Sequence, residues 1–433
     1  MKLFGTSGIR IKNFPPELAY KVGLAIAKYK DIVIGRDTRK SSPLLESSLI
    51  SGILEGGGNA YKINLCPTPV LGYNCKYYNL GVMITASHNP PEYNGIKIFN
   101  REGLSLSKEE EEEIEREIKE GKFKKVDWED IGEVYEDKLA LKRYRDFILD
   151  NVELDGKGKK ILVDCANGSA SVISPSLIGD FNYKVISINS HPDGRFLGRL
   201  PEPDKENLRD TCEMAKCLKT IAIAHDGDAD RAIVIDEKGR VYFDKLLILY
   251  VKYLSEVKGI KEVVTTVDCS MAIEEIDDIK VVRTKVGDVY VSEEMRKRKI
   301  KFGGEPSGTW IHELHKTPDG ILTGIRILEV LEYYNKELYK LLDEIPEYIN
   351  LREKVKVEDH LKEKVINYIK EKVGEAETID GVRISLEDGW LLIRPSGTES
   401  YIRVRVEAKT LERAKELLNL GVKLVKEGIR CYT

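Results

Sequence analysis

Short runs of β-branched residues alternate with helix-forming segments along most of this 433-residue chain. Residues 31–34 and 80–85 have the composition of buried strands, and residues 43–55 and 107–121 have that of helices. The second helical segment opens with the Ser-x-x-Glu pattern that caps a helix N-terminus. Strands that alternate with helices in this way predict a parallel α/β architecture.

The same alternation begins again near Lys159 and near Glu262, which indicates three successive α/β units. From about Leu351 the order changes to one helix, three strands and a final helix. These elements are predicted at residues 358–372, 378–384, 390–394, 401–408 and 411–427. We therefore predict an α/β protein with three similar α/β domains with mixed sheets and a C-terminal α+β domain. The predicted boundaries are 1–150, 151–250, 251–350 and 351–433.

Composition excludes several classes of function. The 69 Lys and Arg residues nearly balance 73 Asp and Glu residues, so the chain lacks the basic footprint of a nucleic-acid-binding protein. None of the cysteines forms a CxxC pair, and no apolar run approaches the ~18 residues that a membrane helix needs. The Walker, dinucleotide GxGxxG, GxSxG and HExxH signatures are absent from the sequence. We expect a cytoplasmic protein without nucleic-acid or membrane partners.

The first candidate for chemistry is Thr85-Ala-Ser-His-Asn-Pro90, which directly follows an apolar strand. Folds of the α/β class place ligands at the carboxyl ends of parallel strands. Ser87 there can act as a nucleophile or as a phosphoryl carrier. His88 can hydrogen-bond a phosphate on that serine, and Lys97 can add a positive charge. The alternative is that Ser87 only caps a helix or fills a turn.

The second candidate is Asp226-Gly-Asp-Ala-Asp-Arg231, in which three carboxylates alternate along a short loop. Oxygen ligands of this kind suit Mg²⁺ or Ca²⁺. Glu237 falls at the twelfth position of a calcium EF-hand, but Arg231 occupies the sixth, where that turn needs glycine. The flanking sequences also have the pattern of strands, whereas an EF-hand has helices. The remaining alternative is a solvated acidic turn, although three acids this close repel each other without a cation.

Two further loops have the composition of ligand-binding turns. Gly303-Gly-Glu-Pro-Ser-Gly308 offers Glu305 and Ser307 as hydrogen-bond partners for the vicinal hydroxyls of a sugar. Arg394-Pro-Ser-Gly-Thr-Glu399, with Arg403 after it, offers backbone amides, two hydroxyls and guanidinium groups for a phosphate. Taken alone, each loop could also be an ordinary turn.

Together these loops resemble those of the α-D-phosphohexomutase family, enzymes that move a phosphoryl group between positions of a hexose. The resemblance covers essentially the whole chain, because the family's loops occur in the family's order. It is carried by residues 4–10, 35–39, 85–90, 164–168, 226–231, 304–308 and 394–399. It implies four domains around a central active-site cleft, with one loop from each domain.

The resemblance also implies roles for individual residues. It assigns the phosphoserine to Ser87. The groups around its phosphate are implied to be Arg10, His88 and Lys97. The ligands of one Mg²⁺ are implied to be a phosphoserine oxygen of Ser87 with Asp226, Asp228 and Asp230. The residues that line the sugar or assist proton transfer are implied to be Arg231 and Lys285. The residues that hydrogen-bond the sugar hydroxyls are implied to be Glu305 and Ser307. The residues that hold the non-reacting phosphate are implied to be Arg394, Ser396, Gly397, Thr398 and Arg403.

The implied reaction uses a hexose 1,6-bisphosphate as intermediate and activator, and the implied partner is a small hexose phosphate bound by a monomer or homodimer. Residues 283–288 and 305–310 resemble the branch of the family that acts on glucosamine phosphates. The branch that acts on glucose and mannose phosphates, with the same mechanism, stays open. A phosphatase that releases phosphate to water and, more remotely, a non-catalytic calcium-binding protein also stay open.

Overall fold

The computed structural model describes residues 3–5, 7–374, 376–396 and 400–432. Within these residues the strands form four sheets, and the backbone divides into two compact units. The first unit is Met1–Leu246 with Pro306–Leu342, and the second is Leu247–Glu305 with Asp343–Thr433.

The first domain contains a mixed sheet and the helices that cover it. The strands are β1 (Ile9–Lys12), β2 (Asp31–Arg36), β3 (Asn59–Leu65), β4 (Leu80–Ile84), β5 (Tyr93–Asn100) and β6 (Val134–Glu136). The helices are α1 (Pro16–Ile26), α2 (Ser42–Glu55), α3 (Thr68–Asn74), α4 (Lys108–Glu120) and α5 (Ala140–Asn151). The order is β1-β5-β4-β2-β3-β6, in which β2 pairs in parallel with both β3 and β4. The loops after these three strands therefore leave the same edge of the sheet.

Local sequence explains the central elements of this domain. Every residue of β4 is buried, which accounts for its unbroken apolar run. The helix α4 begins with the predicted capping box, since the Ser107 side chain accepts from the Glu110 N–H and the Glu110 carboxylate accepts from the Ser107 N–H. Gly121 ends the helix in a left-handed conformation.

The second domain is a smaller mixed sheet with the order β10-β9-β7-β8. Its elements are β7 (Lys160–Asp164), α6 (Ser174–Asp180), β8 (Lys184–Ile188), α7 (Arg209–Leu218), β9 (Ala222–His225) and β10 (Ala232–Ile235). The central strand β7 runs parallel to β8 and β9, whereas β9 and β10 form an antiparallel pair. The connection between this last pair is the acidic segment 226–231, which the strand geometry bends into a tight loop.

The third domain contains helices around short strands. Its elements are α8 (Asp244–Lys258), β11 (Glu262–Thr266), β12 (Lys280–Thr284), α9 (Asp288–Arg298), β13 (Gly303–Gly304), β14 (Trp310–Ile311), α10 (Gly320–Tyr334) and α11 (Leu338–Asp343). The strand β11 pairs in parallel with β12 and with β13. The strands β11, β12 and β13 belong to the second unit, whereas β14 and α10 belong to the first.

The C-terminal domain differs from the other three. Its elements are β15 (Ile349–Lys356), α12 (Asp359–Val373), β16 (Val382–Leu386), β17 (Gly389–Pro395), β18 (Tyr401–Ala408) and α13 (Leu411–Arg430). The strands form an antiparallel sheet in the order β15-β18-β17-β16. Buried residues of the sheet and of both helices make one apolar core.

The three α/β domains and the different C-terminal α+β domain predicted from the sequence are confirmed. One strand, predicted at 378–384, instead runs Val382–Leu386. Gly381 precedes it with a φ of +83°, and a Cβ there would lie 2.2 Å from O of Ile393, so the extended backbone begins only after this glycine. The domain boundaries and the common cleft stay predictions. In the part of the chain that the structure describes, no helix is both long and apolar enough to cross a membrane.

Candidate active site

Ser87 lies in the turn that follows β4, and its side chain is completely buried. Its Oγ donates a hydrogen bond to Oδ2 of Asp226 at 2.7 Å and lies 3.3 Å from Nδ1 of His88. The backbone of Ser87 has a φ of +51°, in the left-handed region that non-glycine residues rarely adopt. The turn therefore presents a hydroxyl to a carboxylate of another loop, an arrangement that suits a nucleophile or a phosphoryl carrier.

The predicted metal loop joins β9 to β10, and its three aspartates converge. Asp226, Asp228 and Asp230 are buried, and one carboxylate oxygen from each lies within 4.8 Å of the others. Nζ of Lys97 lies 2.7 Å from Oδ2 of Asp228 and 2.6 Å from Oδ2 of Asp230. Because strands flank this loop on both sides, it is not an EF-hand.

The hydrogen bonding of this loop fits a metal ion. Oδ1 of Asp228 and Oδ1 of Asp230 are buried without a hydrogen-bond partner among the described residues. Buried carboxylate oxygens without a donor are costly unless a cation or a proton satisfies them. Hard divalent cations take such oxygens as ligands. The three aspartates could therefore hold a divalent metal ion.

The electrostatics of the loop agree with this fit. Burial raises the pKa of Asp226 well above its usual range, and the neighbouring Asp230 and Asp228 raise it further. Burial would also raise the pKa of Asp228, but the ammonium of Lys97 holds that pKa below its ordinary value. Three carboxylates thus face Lys97 and Arg231, whose Nε lies 4.0 Å from Oδ1 of Asp230, and a bound cation would relieve the mutual repulsion of the carboxylates.

Close backbone contact between the Ser87 turn and the metal loop requires glycine. A Cβ at Gly227 would lie 2.6 Å from O of Ser87, so a larger residue would push the two loops apart. The carbonyl of Gly227 accepts a hydrogen bond from N of Ser169 at 2.9 Å, and a Cβ at Gly168 would lie 2.5 Å from that carbonyl. The segment 164–168, which contributes to the family resemblance, therefore supports the metal loop.

Arg10 and Arg231 are the predicted arginines of the site. Nη1 of Arg10 donates to Oδ1 of Asn89 at 3.3 Å, and its Nε is buried without a hydrogen-bond partner in the described part of the chain. Nη1 of Arg231 lies 3.4 Å from Oε1 of Glu202. Both guanidinium groups can therefore supply donors to an anion at Ser87.

His88 lies beside the Ser87 hydroxyl, with its Nδ1 3.3 Å from Oγ of Ser87. Its Nε2 lies 3.4 Å from Oε2 of Glu202. Burial lowers the pKa of His88, and the positive charges of Arg231, Arg10 and Lys97 lower it further. The imidazole is therefore neutral near pH 7, and it contributes hydrogen bonds rather than charge.

Ser307 belongs to the first unit, beside the strand that follows the metal loop. Its Oγ lies 3.2 Å from Oγ1 of Thr309, and the next residue, Gly308, accepts a hydrogen bond from N of Ala232 at 3.2 Å. Gly308 has a φ of +87°, and a Cβ there would lie 2.4 Å from O of Ala232. Gly308 therefore allows the backbone at this point of the predicted sugar-binding segment 303–308, the sugar loop, to run against β10.

Glu305 and Lys285 belong to the second unit. The Glu305 side chain is largely buried, and its Oε1 accepts a hydrogen bond from N of Gly287 at 2.8 Å. Nζ of Lys285 lies 5.5 Å from the ring centre of Tyr290. Glu305 thus fixes the backbone at Gly287, two residues after the exposed Lys285, and its carboxylate can also accept a hydrogen bond from a ligand.

The predicted phosphate loop lies at the end of the β17–β18 pair, where Arg394 and Arg403 are direct cross-strand partners. Arg394 pairs with Asp380 at 3.0 Å, and Nη2 of Arg403 donates to Oγ of Ser396 at 3.3 Å. Nζ of Lys362, which the sequence did not single out, donates to O of Ser396 at 2.9 Å. Two guanidinium groups at paired positions favour a bound anion. Gly397 and Thr398 lie outside the described residues.

Two residues near the metal loop were missed by the sequence reasoning. Oγ1 of Thr68 donates to Oδ2 of Asp228 at 2.6 Å, and N of Thr68 donates to O of Asp228 at 2.8 Å. Thr68 follows the parallel strand β3, so the strand-end rule that pointed to Ser87 could have found it. Glu202, which lies between His88 and Arg231, comes from a loop without a comparable sequence signal.

Comparison with known protein families gives four successive matches between residues 1 and 420. The phosphoglucomutase/phosphomannomutase α/β/α domains I, II and III match residues 1–125, 142–239 and 242–348, and the C-terminal domain of the same family matches 353–420.

Individual relatives agree with these matches. A phosphoglucosamine mutase from Methanocaldococcus jannaschii is 57% identical, over 99% of both chains. A phosphoglucomutase/phosphomannomutase family protein from Burkholderia thailandensis has the same fold, with a TM-score of 0.89 at 24% identity over 99% of this chain and 97% of that one. The Aspergillus fumigatus N-acetylphosphoglucosamine mutase, solved in complex with GlcNAc-6P and magnesium, has a TM-score of 0.58 at 16% identity, over 99% of this chain and 96% of that one.

The four domains and their loops define an isomerase of the phosphohexomutase class, an enzyme that transfers a phosphoryl group within its substrate. The chain belongs to the phosphoglucomutase/phosphomannomutase family of the α-D-phosphohexomutases.

Proposed function

We propose that the enzyme interconverts glucosamine 6-phosphate and glucosamine 1-phosphate, the activity of a phosphoglucosamine mutase. The observation that carries the chemistry is Oγ of Ser87, buried and 2.7 Å from Asp226 of the acidic loop. The relative from Methanocaldococcus jannaschii, 57% identical along the full chain, supports the amino-sugar substrate.

Ser87 is the proposed phosphoryl carrier. In the phosphorylated enzyme, the free hydroxyl oxygen of a sugar monophosphate bonds to phosphorus, the Oγ–P bond breaks, and the hydroxyl proton passes to a neighbouring base. The product of this step is a hexose 1,6-bisphosphate. After the bisphosphate turns over, Oγ of Ser87 accepts the other phosphoryl group and the isomer leaves. Arg231 and Lys285 are the proposed residues for sugar contact or proton transfer.

Asp226, Asp228 and Asp230, with an oxygen of the Ser87 phosphate, are the proposed ligands of one Mg²⁺. When bound, this ion neutralises charge on the transferring phosphoryl group. Lys97, already in contact with two of the aspartates, adds one positive charge beside the same phosphate. The fungal neighbour solved with magnesium supports the choice of metal.

Arg10 and His88 are proposed to hold the phosphate on Ser87. Arg10 offers a buried Nε that has no hydrogen-bond partner among the described residues. The neutral imidazole of His88 lies 3.3 Å from Oγ of Ser87, within reach of a phosphate oxygen there.

Residues of the sugar and phosphate loops are proposed to hold the rest of the substrate. Glu305 and Ser307 are assigned to the sugar hydroxyls. The non-reacting phosphate is assigned to Arg394, Ser396, Gly397, Thr398 and Arg403. The cross-strand arginine pair supports this assignment, because it brings together two guanidinium groups that can each donate several hydrogen bonds to a phosphate.

The decisive experiment compares kcat/KM for the 6-phosphates of glucosamine, glucose and mannose, with Mg²⁺ and a hexose 1,6-bisphosphate present. We expect a strong preference for glucosamine 6-phosphate. A preference for glucose or mannose would keep the mechanism and refute the amino-sugar assignment. Release of inorganic phosphate without isomerisation would instead indicate a phosphatase, and no reaction of any sugar phosphate would refute the proposal.

The role of Ser87 has its own test. Ser87→Ala is expected to lower mutase turnover by about three orders of magnitude or more, because the covalent carrier is lost. Intact mass after incubation with the bisphosphate should show a phosphoryl group on the wild-type enzyme and none on the variant. Ser47→Ala, at an exposed position on α2, is the control and should behave like the wild type. Near-normal turnover of Ser87→Ala would show that Ser87 is not the phosphoryl carrier.

The small-molecule hexose phosphate is the proposed partner, and the enzyme is proposed to act in the cytoplasm as a monomer or homodimer. Light scattering of the purified enzyme at working concentration would decide between one and two chains.

A further inference from the structure

Asp37 and Arg39 are buried in the first domain and contact the Ser87 turn. They follow β2, in the segment 35–39 that contributes to the family resemblance, and neither has any exposed surface. Their carboxylate and guanidinium form an ion pair at 3.0 Å. A buried ion pair costs desolvation energy and is tolerated only when its remaining donors and acceptors are satisfied. Most of the groups that satisfy this pair come from the segment 85–90, which contains the Ser87 turn.

The guanidinium of Arg39 holds the backbone of that turn. It donates four hydrogen bonds to main-chain oxygens. The acceptors are the carbonyls of Ser87 at 2.7 Å, Asn89 at 2.6 Å, Pro90 at 2.6 Å and Tyr93 at 2.9 Å. The ring of Phe196 covers the guanidinium, with its centre 5.0 Å from Cζ. Only a planar group with five donors can reach Asp37 and these carbonyls together.

Thr85 binds the backbone N–H of Ser87, whereas Arg39 binds its carbonyl. Its Oγ1 accepts a hydrogen bond from N of Ser87 at 2.8 Å and donates to Oδ2 of Asp37 at 2.7 Å. Asp37 also accepts from Nε of Arg39 at 3.0 Å and from Oγ of Ser42 at 2.9 Å. The N–H and the C=O of Ser87 are therefore both fixed, and Asp37 connects the two groups that fix them.

The Ser87 backbone needs such support. A non-glycine residue remains in the left-handed region only where its surroundings over-determine the conformation. This backbone conformation directs Oγ towards Asp226 at 2.7 Å. Phosphoryl transfer depends on in-line positioning, and a displacement of about 1 Å can lower the rate about 10²-fold.

We propose that Asp37, Arg39 and Thr85 form a positioning network that directs Oγ of Ser87 for phosphoryl transfer, a role that rests on the proposed function of Ser87. None of the three is placed on the reacting atoms. Their effect is therefore on kcat, whereas KM and the Mg²⁺ requirement depend on other residues.

The test is Thr85→Val, which removes the hydroxyl and keeps the branched shape. We expect kcat to fall about 10–100-fold while KM changes less than about threefold. Thr85→Ser, which keeps the hydroxyl, should return kcat to within about threefold of the wild type. The matched control is Thr220→Val, because the buried Thr220 hydroxyl donates at 2.7 Å to O of Lys160, in the second domain. This control should keep the wild-type kcat.

Failure of this inference is distinguishable from failure of the proposed function. Wild-type turnover and the loss in Ser87→Ala test the role of Ser87 by themselves. A kcat for folded Thr85→Val within about twofold of the wild type, or an equal loss in Thr220→Val, would overturn the network. If Thr85→Val does not fold, Arg39→Lys serves instead, because it keeps the charge and loses the planar donors. The same fall in kcat is expected, and an unchanged kcat would overturn the proposal.

Discussion

Thr68 allows a direct test of how the metal loop is held. Its hydroxyl donates to Oδ2 of Asp228 at 2.6 Å, and its N–H donates to O of Asp228 at 2.8 Å. Thr68→Val removes the first hydrogen bond but keeps the second and the shape of the side chain. We expect the variant to fold and to bind Mg²⁺ more weakly, because the Asp228 carboxylate loses one of the groups that orient it.

The magnitude follows from two independent estimates. A hydrogen bond to a charged group contributes about 1.5–3 kcal/mol. Loss of an outer partner of a metal ligand typically lowers metal affinity about 10–100-fold, equivalent to about 1.4–2.7 kcal/mol. Lys97 still contacts the same oxygen of Asp228 at 2.7 Å. We therefore expect the lower half of the range, about 10–30-fold weaker binding.

The assay is calorimetric titration of Mg²⁺ into metal-free enzyme, together with the Mg²⁺ concentration that gives half-maximal mutase activity. Thr68→Ser retains the hydroxyl and should restore affinity, and Thr220→Val controls for the loss of a buried hydroxyl elsewhere. A Mg²⁺ affinity of folded Thr68→Val within about twofold of the wild type would refute the argument that Thr68 orients Asp228.

Two other substitutions test the loops and their supports. Gly227→Ala places a Cβ 2.6 Å from O of Ser87, so turnover should fall about 10²-fold or more, with a smaller change in thermal midpoint; a wild-type kcat would contradict this. Asp164→Asn leaves its partner Arg199, at 2.7 Å, as an unpaired buried charge. The variant's free energy of unfolding, measured with guanidinium chloride at pH 7, should be lower by about 3–5 kcal/mol. The pKa of Asp164 lies below its ordinary value. Burial alone would raise this pKa, but the Arg199 guanidinium and hydrogen bonds to the carboxylate lower it by more. Because the folded pKa is depressed, this stabilisation is present above about pH 4 and is lost as pH falls through the folded pKa. If the free energies of unfolding of variant and wild type differed by the same amount at pH 7 and at pH 2, the expected loss of stabilisation at low pH would be contradicted.

The fold was predictable because its signals are local. The buried run of β4, the capping box of α4 and the change of element order after residue 351 depend only on neighbouring residues. The chemistry-bearing loops were predictable for a related reason, since parallel strands bring their carboxyl ends to one edge of a sheet. That rule places the Ser87 turn and the acidic loop each at a strand end, but the two loops follow strands of different sheets, and only the family resemblance implied that Ser87 and the three aspartates meet.

The supporting contacts were not predictable, because they join residues that are distant in sequence. Thr68 and Asp228 are 160 positions apart, and Lys97 is 131 positions from the same aspartate. Neither pairing has a periodic or spacing signal. The late start of β16 depends on how the backbone of Gly381 approaches Ile393 on the next strand, which composition alone does not reveal.

The second domain supports the metal loop as the first supports the Ser87 turn. Asp164, the last residue of β7, accepts hydrogen bonds from Arg199 at 2.7 Å and from Thr211 at 2.6 Å. Nη2 of Arg199 then donates to O of His225 at 2.6 Å, directly before Asp226. The first domain has a similar series of contacts, from Asp37 through Arg39 to the main-chain carbonyl of Ser87.

This shared arrangement is a similarity of contacts without a similarity of sequence. The arginine lies two positions after its aspartate in the first domain and 35 positions after it in the second, so a comparison of residues does not reveal the repeat. Its physical basis is that a buried loop at a strand end leaves carbonyls without partners, and each needs a donor. A guanidinium supplies five donors, and the adjacent aspartate neutralises its charge. Buried ion pairs therefore fix the two loops that carry the proposed chemistry, where apolar side chains would leave those carbonyls unsatisfied.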